Sequence, residues 1–424
     1  MEKRIIFHID VNNAFLSWTA ILLLQEGYKI DIRNIPAVIG GDEKRRSGIV
    51  LAKSMVAKKY GIVTAETLYS ARNKCKNLKV YPPNYYWYYE KSHEFHEYLK
   101  QFTPNTLKYS VDEAFLDFTG TKYIYSDYIK LAHHIKDEIK EKFGFTVNVG
   151  IANNMLCAKM ASDFQKPDRV HTLFDEEVKK KMWPLPIEDL FMVGRSTSKR
   201  LRELGINTIG ELAQKDINFL TKYFKNQAEF LKNSANGIDD TKVEPHKSKS
   251  ESISVTETMP KDLQDINELK EILFRQTSEV SRQLRDKNKF CNVVAVIFKN
   301  HQFESYSRQT KLDNPTDNTE IIYDKVVEIL ENSWKNDPIR LIGVRLADLC
   351  SDRKTQISLF DNNTIEEDDK NSSFQKKIDE INKKFGSNSV VPASIINKIG
   401  KNKLRKWLFK YKRFSFNNSR FSII

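Results

Sequence analysis

Short apolar runs separated by polar turns organise the first third of the chain. Residues 4 to 10 form one such run, which predicts a buried strand that ends at Asp10. Residues 107 to 118 predict two short strands joined by a turn at the acidic pair Asp112 and Glu113. A bend is needed there because neighbouring side chains of an uninterrupted strand point to opposite faces, so both carboxylates reach one site only if the chain turns.

The pattern then changes to helical spacing. Apolar side chains recur every three or four residues from Tyr128 to Ile139, and Gly144 supplies a stop signal. Residues 146 to 151 return as a strand. Strands that alternate with helices in this way predict an α/β domain.

A helical block follows Pro184 and Pro186. In this block, the tripeptide 192–194 precedes a helical stretch that ends at Gly205. The pattern is typical of a helix-hairpin-helix, in which a glycine turn presents backbone N–H groups to a DNA phosphate. We therefore predict DNA contacts at Val193, Gly194 and Arg195.

The second half of the chain divides at a polar segment. Residues 241 to 254 combine Pro245 with lysines and serines, which is typical of an exposed linker. Between 255 and 350, helical and strand-like stretches alternate and predict a sandwich of one sheet and two helices. Residues 361 to 373 are polar and acidic, and their composition predicts disorder.

Charge is unevenly distributed along the chain, whose net charge is +13. Between 244 and 350, 16 Lys/Arg face 18 Asp/Glu, whereas the last 24 residues contain eight basic and no acidic residues. A positive excess favours a polyanionic partner because Lys and Arg displace counterions from phosphates. Any DNA contact made by 255–350 has to come from one basic face.

Cysteine spacing and hydropathy exclude several classes of protein. The four cysteines are too scattered for a disulfide framework or a zinc site: Cys75, Cys157, Cys291 and Cys350. No stretch approaches the roughly 18 apolar residues of a membrane span, and the N-terminus is unlike a signal peptide. We expect a soluble, cytoplasmic monomer with no membrane contact.

Asp10, Asp112 and Glu113 are the strongest candidates for metal ligands. Mg²⁺ is a hard ion that prefers oxygen ligands and keeps part of its shell for water and substrate phosphates. A few carboxylates from separate strands therefore suit phosphoryl transfer better than a closed protein cage. The acidic cluster predicts nucleotide chemistry.

Five short strings in the chain resemble the Y-family translesion DNA polymerases of the bacterial DinB/UmuC type, and the resemblance extends from residue 4 to about 350. They are Asp10-Val11-Asn12-Asn13-Ala14-Phe15, Gly48-Ile49-Val50-Leu51-Ala52, Ala57-Lys58-Lys59-Tyr60-Gly61, Ser110-Val111-Asp112-Glu113-Ala114 and Gly150-Ile151-Ala152. The resemblance implies an α/β multidomain, right-hand polymerase with an α/β palm, small fingers, a helical thumb and an α/β little finger. The implied limits are 1–183 for the palm with fingers inserted at about 20–78, 184–240 for the thumb, 241–254 for the linker, 255–350 for the little finger and 351–424 for a C-terminal region.

The resemblance also implies roles for the acidic cluster. Asp10, Asp112 and Glu113 match the catalytic carboxylates, and the backbone carbonyl of Val11 is expected to join them as a ligand. The implied cofactor is a pair of Mg²⁺ ions, for which Mn²⁺ could substitute. One ion would lower the pKa of the primer 3′-hydroxyl, and the other would bind the triphosphate.

Three further residues match positions that contact the deoxynucleoside triphosphate. Phe15 matches an aromatic ring that excludes the ribose 2′-hydroxyl, with a simple packing role as the alternative. Lys58 and Lys166 match cations on the triphosphate, with a solvated surface role as the alternative. At position 58 a lysine lacks the planar fork of the arginine found in many relatives, and Met55 stands where a tyrosine is often found.

The C-terminal region carries two further candidate contacts. Gln356-Ile357-Ser358-Leu359-Phe360 resembles the peptide that binds the bacterial sliding clamp. In such a peptide the glutamine forms a hydrogen bond at the rim of a pocket, while the leucine and phenylalanine fill an apolar cleft. The basic segment 401–424 interleaves aromatic residues with cations. Contact with nucleic acid and a disordered extension both remain open for that segment.

Together these patterns favour low-fidelity translesion synthesis on primer-template DNA by a polymerase tethered to the clamp. A non-catalytic factor that binds DNA and the clamp is the alternative. A nucleotidyl cyclase-like palm enzyme shares the acidic metal chemistry but would not need a thumb, a little finger or a clamp peptide.

Overall fold

The structure, a computed structural model, describes residues 3–42, 48–244, 252–351, 364–385 and 390. It divides into two compact units, Met1–Gly41 with Ile49–His246 and Lys247–Ile424 with Asp42–Gly48. The elements of the first unit, in chain order, are β1 (Ile6–Val11), α1 (Ala14–Gln25), β2 (Ala37–Gly40), β3 (Val50–Lys53), α2 (Met55–Lys59), α3 (Leu68–Lys74), β4 (Lys79–Tyr81), α4 (Tyr85–Leu99), β5 (Thr106–Lys108), β6 (Glu113–Asp117), α5 (Tyr128–Phe143), β7 (Val147–Ala152), α6 (Met155–Asp163), β8 (Val170–Leu173), α7 (Val178–Lys181), α8 (Arg195–Glu203), α9 (Ile209–Gln214), α10 (Ile217–Phe224) and α11 (Ala228–Ala235). Those of the second unit are β9 (Ser252–Leu263), α12 (Ile266–Asp286), β10 (Phe290–Asn300), β11 (Ser305–Thr316), α13 (Thr319–Ser333), β12 (Ile339–Cys350) and α14 (Thr364–Phe385).

A five-stranded sheet in the order β5-β6-β1-β7-β8 forms the centre of the first unit. Strand β1 lies in the middle and pairs antiparallel with β6 on one side and β7 on the other. The register places Asp10 opposite Glu113 of β6 and opposite Asn148 of β7. The predicted strands over 4–10 and 107–118 are confirmed, and the chain bends between β5 and β6 as predicted.

The two faces of this sheet have different neighbours. The odd-numbered side chains of β1 pack with α1, α4 and α5 in one core. On the other face, His8 Nδ1 lies 2.8 Å from the hydroxyl of Ser162 in α6. Because alternate residues of a strand share a face, Asp10 points to the α6 side together with His8.

Gly150 allows α6 to approach this face very closely. A Cβ atom at position 150 would lie 2.0 Å from the carbonyl oxygen of Ala158 and 2.5 Å from the backbone nitrogen of Ser162. The helix backbone therefore rests directly on β7, where any side chain would hold it away. This contact brings the α6 residues between Ala158 and Ser162 to the carboxylate end of β1.

A smaller layer is formed by the sheet β3-β2-β4 with α2 and α3. Helix α2 begins at Met55, where the hydroxyl of Ser54 accepts a hydrogen bond from the N–H of Ala57 and caps the first turn. The fingers implied at about 20–78 overlap this layer. Their limits, like those of the other implied domains, stay a prediction.

Helices α8 to α11 share one hydrophobic core with α6. The side-chain amide of Asn154, which caps α6, also donates to the carbonyl of Gly237 at 2.7 Å. The helical block predicted after Pro186 is therefore confirmed, and its core is continuous with that of the central sheet.

The second unit is a four-stranded antiparallel sheet in the order β11-β10-β12-β9, packed against α12 and α13. This is the predicted sandwich of one sheet and two helices. Strands β9 and β11 were not predicted individually, because polar and charged residues occupy most of their positions. Strand β9 begins at Ser252, within the segment predicted as a linker.

Arg285 of α12 anchors the last helix, α14. Its side chain is only 4% exposed, and it donates to both carboxylate oxygens of Asp379 at 2.6 and 3.1 Å. It also donates to the carbonyl of Asp317 and to the side-chain oxygen of Gln375. The disorder predicted over 361–373 is wrong for 364–373, which are helical. The prediction used local composition, which contains no information about the contacts of Arg285 with the later turns of the same helix.

Several predictions fall on residues outside those described. These are the clamp peptide Gln356-Ile357-Ser358-Leu359-Phe360, the basic segment 401–424 and residues 245–251 of the linker. Within the described ranges, no helix is both long enough and apolar enough to cross a membrane.

Candidate active site

Three acidic residues lie near one another at one end of the central sheet. Asp10 stands near the end of β1 and is 6% exposed, and Glu113 faces it as the first residue of β6. Asp112 lies in the preceding turn, where the hydroxyl of Ser110 donates to its Oδ1 at 2.7 Å. The N–H of Val11 donates to the carbonyl of Asp112 at 3.0 Å, so the turn is fastened to β1.

Two lysines contact these carboxylates. Lys159 of α6 places its Nζ 2.6 Å from Glu113 Oε1, and 3.9 Å from Asp10 Oδ2. Lys166, in the loop after α6, pairs with Asp10 and with Asp163, the latter at 2.7 Å. The structure therefore brings together four of the predicted residues, Asp10, Asp112, Glu113 and Lys166, and adds Lys159 to them.

The electrostatics of the cluster follow from its burial. Burial raises the pKa of Asp10, although the charges of Lys166 and Lys159 oppose the shift. Burial also raises the pKa of Asp112, and the charge of Asp10 raises it further, whereas the hydrogen bond from Ser110 lowers it. Burial alone would lower the pKa of both lysines, but the charges of Asp10 and Asp163, together with hydrogen bonds to the carboxylates, outweigh it and raise both values. Desolvation is therefore the main reason why Asp10 and Asp112 hold their protons more tightly than in water.

The donor set fits a hard divalent cation. Its side-chain oxygens are all carboxylate oxygens, which Mg²⁺ and Mn²⁺ prefer. The raised pKa values of Asp10 and Asp112 mark buried oxygens that a nearby cation would stabilise in their ionised form. Among the described residues, however, no three His, Cys, Asp or Glu side chains are grouped as they would be around a bound ion. Lys159 and Lys166 supply the positive charge in the present arrangement.

Phe15 lies in the first turn of α1, immediately after the turn that follows β1. Its half-buried ring stacks on Tyr88 of α4, with centroids 4.5 Å apart and ring planes 8° apart. The hydroxyl of Tyr88 lies 2.7 Å from that of Thr19, which fixes the supporting ring. Phe15 is therefore packed against Tyr88 on one face and is not fully buried. Ala14 beside it is 5% exposed and belongs to the core.

Lys58 belongs to the small layer formed by the sheet β3-β2-β4 with α2 and α3. It lies in the last turn of α2 with an exposed side chain. Burial lowers the pKa of Lys53 at the end of β3, and the charge of Lys58 lowers it further, so the two ammonium groups are neighbours. The structure thus gives Lys58 a second cation beside it, which the sequence analysis did not identify.

The predicted DNA contacts lie at the start of α8. Gly194 is the N-cap residue of this helix and has no atom within 4 Å of where a Cβ would stand. Val193 is 8% exposed, and its N–H already donates to the carbonyl of Leu190. Arg195 is exposed at the first helical position. The open N-terminus suits an approaching phosphate, whereas Val193 acts through the turn it stabilises.

Two residues that matter for this geometry were missed by the sequence analysis. Lys159 is separated from Glu113 by 46 residues, and its only local sign is the helical spacing to Asp163. Tyr88 lies in a run of aromatic residues, and no local pattern selects it from that run as the ring that stacks on Phe15.

A sheet with buried acidic residues at one end, a helical block that shares its core and a further α/β unit are the parts expected of a right-hand polymerase. Comparisons with known proteins agree. Residues 9–163 match the impB/mucB/samB family, residues 250–359 match the C-terminal domain of that family, and residues 175–206 match the IMS family HHH motif. The last match confirms the predicted helix-hairpin-helix.

Relatives extend the match over nearly the whole chain. DNA polymerase IV of Clostridium acetobutylicum is 45% identical, with 93% of this chain and 99% of that protein covered. DNA polymerase IV of Acetivibrio thermocellus is 33% identical, covering 95% of this chain and all of that protein. A chimera of the Y-family DNA polymerases Dbh and Dpo4 has the same fold, with a TM-score of 0.70 at 24% identity, over 82% of this chain and 100% of that chain. The chain belongs to the impB/mucB/samB family of Y-family, DNA-directed DNA polymerases.

Proposed function

We propose that this protein extends primers on template DNA and continues synthesis past damaged bases with low fidelity. The observation that carries the proposal is the register that sets Asp10 opposite Glu113 with Asp112 beside them, in a chain 45% identical to a DNA polymerase IV. A location in the cytoplasm and a monomeric state remain predictions.

Asp10, Asp112, Glu113 and the carbonyl of Val11 would hold two Mg²⁺ ions, or Mn²⁺ in their place. The ions would activate the primer 3′-hydroxyl and neutralise the charge that develops on the leaving pyrophosphate. Supporting this assignment, the ligands come from two adjacent strands and one turn tied to both. Mg²⁺ bound by so few protein oxygens would fill its remaining positions with water and substrate phosphates.

The remaining residues would position the substrates. Lys166 and Lys58 would supply positive charge to the triphosphate, and the stacked ring of Phe15 would exclude a 2′-hydroxyl. The open start of α8 at Gly194 and Arg195 would bind a DNA phosphate. The peptide 356–360 would tether the enzyme to the sliding clamp.

Primer extension tests the proposal directly. Wild type should extend a primer with Mg²⁺ on an undamaged template and past an abasic site. Asp112→Ala should reduce the rate by about 10³-fold or more, the scale expected when a group essential to the chemistry is removed, with unchanged primer-template affinity. Asp117→Asn, at the other end of β6 where the carboxyl accepts the N–H of Thr119 at 2.8 Å, is the matched control and should extend normally.

Two results would contradict the proposal. Normal extension by Asp112→Ala would contradict the assignment of Asp112 as a metal-binding carboxylate. Wild-type protein that binds primed DNA and the clamp but never extends with Mg²⁺ or Mn²⁺ would favour the non-catalytic binding factor instead.

A further inference from the structure

His96 connects helix α4 to the turn that carries Asp112. The side chain is 4% exposed, and its Nε2 lies 3.0 Å from the carbonyl oxygen of Ser110. A carbonyl oxygen only accepts hydrogen bonds, so Nε2 carries the proton in the neutral ring. The other nitrogen, Nδ1, is buried and has no hydrogen-bond partner within the described part of the chain. The single N–H of the imidazole is therefore directed at Ser110.

The ring is neutral under ordinary conditions. Burial lowers the pKa of His96 to about 4, and the charge of Lys108 acts in the same direction, while the backbone of Ser110 and Val111 opposes them. A charge on His96 is therefore not what stabilises the turn. The interaction is a directional hydrogen bond between a helix side chain and a turn carbonyl.

Ser110 transmits this contact to the carboxylate. Its hydroxyl donates to Asp112 Oδ1 at 2.7 Å and accepts the N–H of Asp112 at 3.3 Å. Its own N–H donates to the carbonyl of Glu113 at 3.2 Å. If the peptide after Ser110 rotates, the hydroxyl moves with the turn and the Asp112 carboxylate loses the donor that orients it.

We propose that His96 is a positioning residue that holds the Asp112 carboxylate in its working orientation through Ser110. The inference rests on the proposed function and assigns the role to a side chain outside the acidic motif. Without the Nε2–H donor, the Ser110 carbonyl loses a buried hydrogen bond, which favours rotation of its peptide. A displacement of about 1 Å at a reacting group can cost on the order of 100-fold in rate.

Three variants separate positioning from general packing. His96→Met keeps a long apolar side chain but removes the donor. His96→Gln restores an N–H at a similar reach. Ser92→Ala is the matched control, because Ser92 lies one turn earlier in α4, is 1% exposed and has a hydroxyl with no partner among the described residues.

The readouts are single-turnover extension, nucleotide affinity and hydrogen exchange of the turn over 109–113. His96→Met should extend about 10- to 100-fold more slowly, with nucleotide and primer-template affinities within about twofold of wild type. Exchange of the turn amides should quicken in this variant while the rest of α4 stays protected. His96→Gln should recover most of the rate, and Ser92→Ala should behave as wild type.

Failure of the positioning role of His96 can be distinguished from failure of the proposed function. If wild type itself does not extend primers, the proposed function fails, while hydrogen exchange still tests whether His96 holds the turn. The inference is overturned if His96→Met extends at the wild-type rate with unchanged exchange. It is also overturned if His96→Gln is as slow as His96→Met, because packing alone would then explain the effect.

Discussion

Replacing Gly150 with alanine should destabilise the first unit, although the same change in an open strand would stabilise it. The added Cβ would lie 2.0 Å from the carbonyl oxygen of Ala158, and Cβ contacts under 3.0 Å essentially do not occur, so α6 would have to move by about 1 Å. Both close contacts are backbone atoms, which cannot relieve the overlap by changing rotamer. In open space, Gly→Ala in a strand typically gains about 0.5–1 kcal/mol instead.

The cost follows from overpacking, which typically destabilises by 1–3 kcal/mol. Because the clash is with a helix backbone, we expect a loss of about 3 kcal/mol, at the upper end of that range. For a unit of this size, each kcal/mol lowers the melting temperature by roughly 2–4 °C, so Gly150→Ala should melt about 6–12 °C below wild type.

Thermal unfolding followed by circular dichroism measures this change. Gly61→Ala provides the comparison, because Gly61 has a φ of +74° but nothing within 4 Å of the added Cβ. That variant isolates backbone strain and should lose only about 1–2 kcal/mol. If Gly150→Ala melted at or above the wild-type temperature, the direct contact between α6 and β7 would be refuted, and with it the account of how Lys159 reaches Glu113.

Two further predictions concern Phe15 and the last helix. Phe15→Ala should raise ribonucleotide incorporation relative to deoxyribonucleotide incorporation by about 100-fold, the scale of discrimination by pocket shape. Phe95→Leu is the control, because Phe95 is a fully buried residue of α4. Unchanged sugar selection in Phe15→Ala would leave Phe15 with a packing role only. Arg285→Met should release α14 and cost about 3 kcal/mol, since it leaves Asp379 without its counter-ion in a largely buried position. In limited proteolysis, Arg285→Met should then be cleaved within 374–385. The control Arg282→Met breaks half-exposed ion pairs within α12 and should cost less than about 1 kcal/mol. Equal resistance of the two variants to the protease would contradict the anchoring of α14 by Arg285.

Local sequence patterns were sufficient to predict the strands and the turn that carry the carboxylates. The apolar run before Asp10, the bend at Asp112 and the stop at Gly144 each depend on neighbouring residues, and each is where the sequence predicts it. Gly144 indeed adopts a left-handed φ of 74° at the end of α5.

Contacts between distant residues were not predictable in the same way. Lys159 meets Glu113, and Tyr88 meets Phe15, only because the sheet brings α6 and α4 to opposite faces of β1. The helix over 364–373 was missed because a polar segment was judged by composition alone. In each case the deciding interaction lies in tertiary packing, which single-sequence periodicity does not encode.

The alternation along β1 makes the length of this strand as important as its composition. Asp10 shares a face with His8, while the residues between and beside them enter the opposite core. Insertion or deletion of one residue between them, with the rest of the ladder unchanged, would turn the Asp10 carboxylate into that apolar core. An ionised group there would lack a partner, and its burial costs several kcal/mol. Natural length variation should therefore be confined to the loops, and indel scanning of β1 should yield inactive, poorly folded chains even where point substitutions of its apolar residues are tolerated.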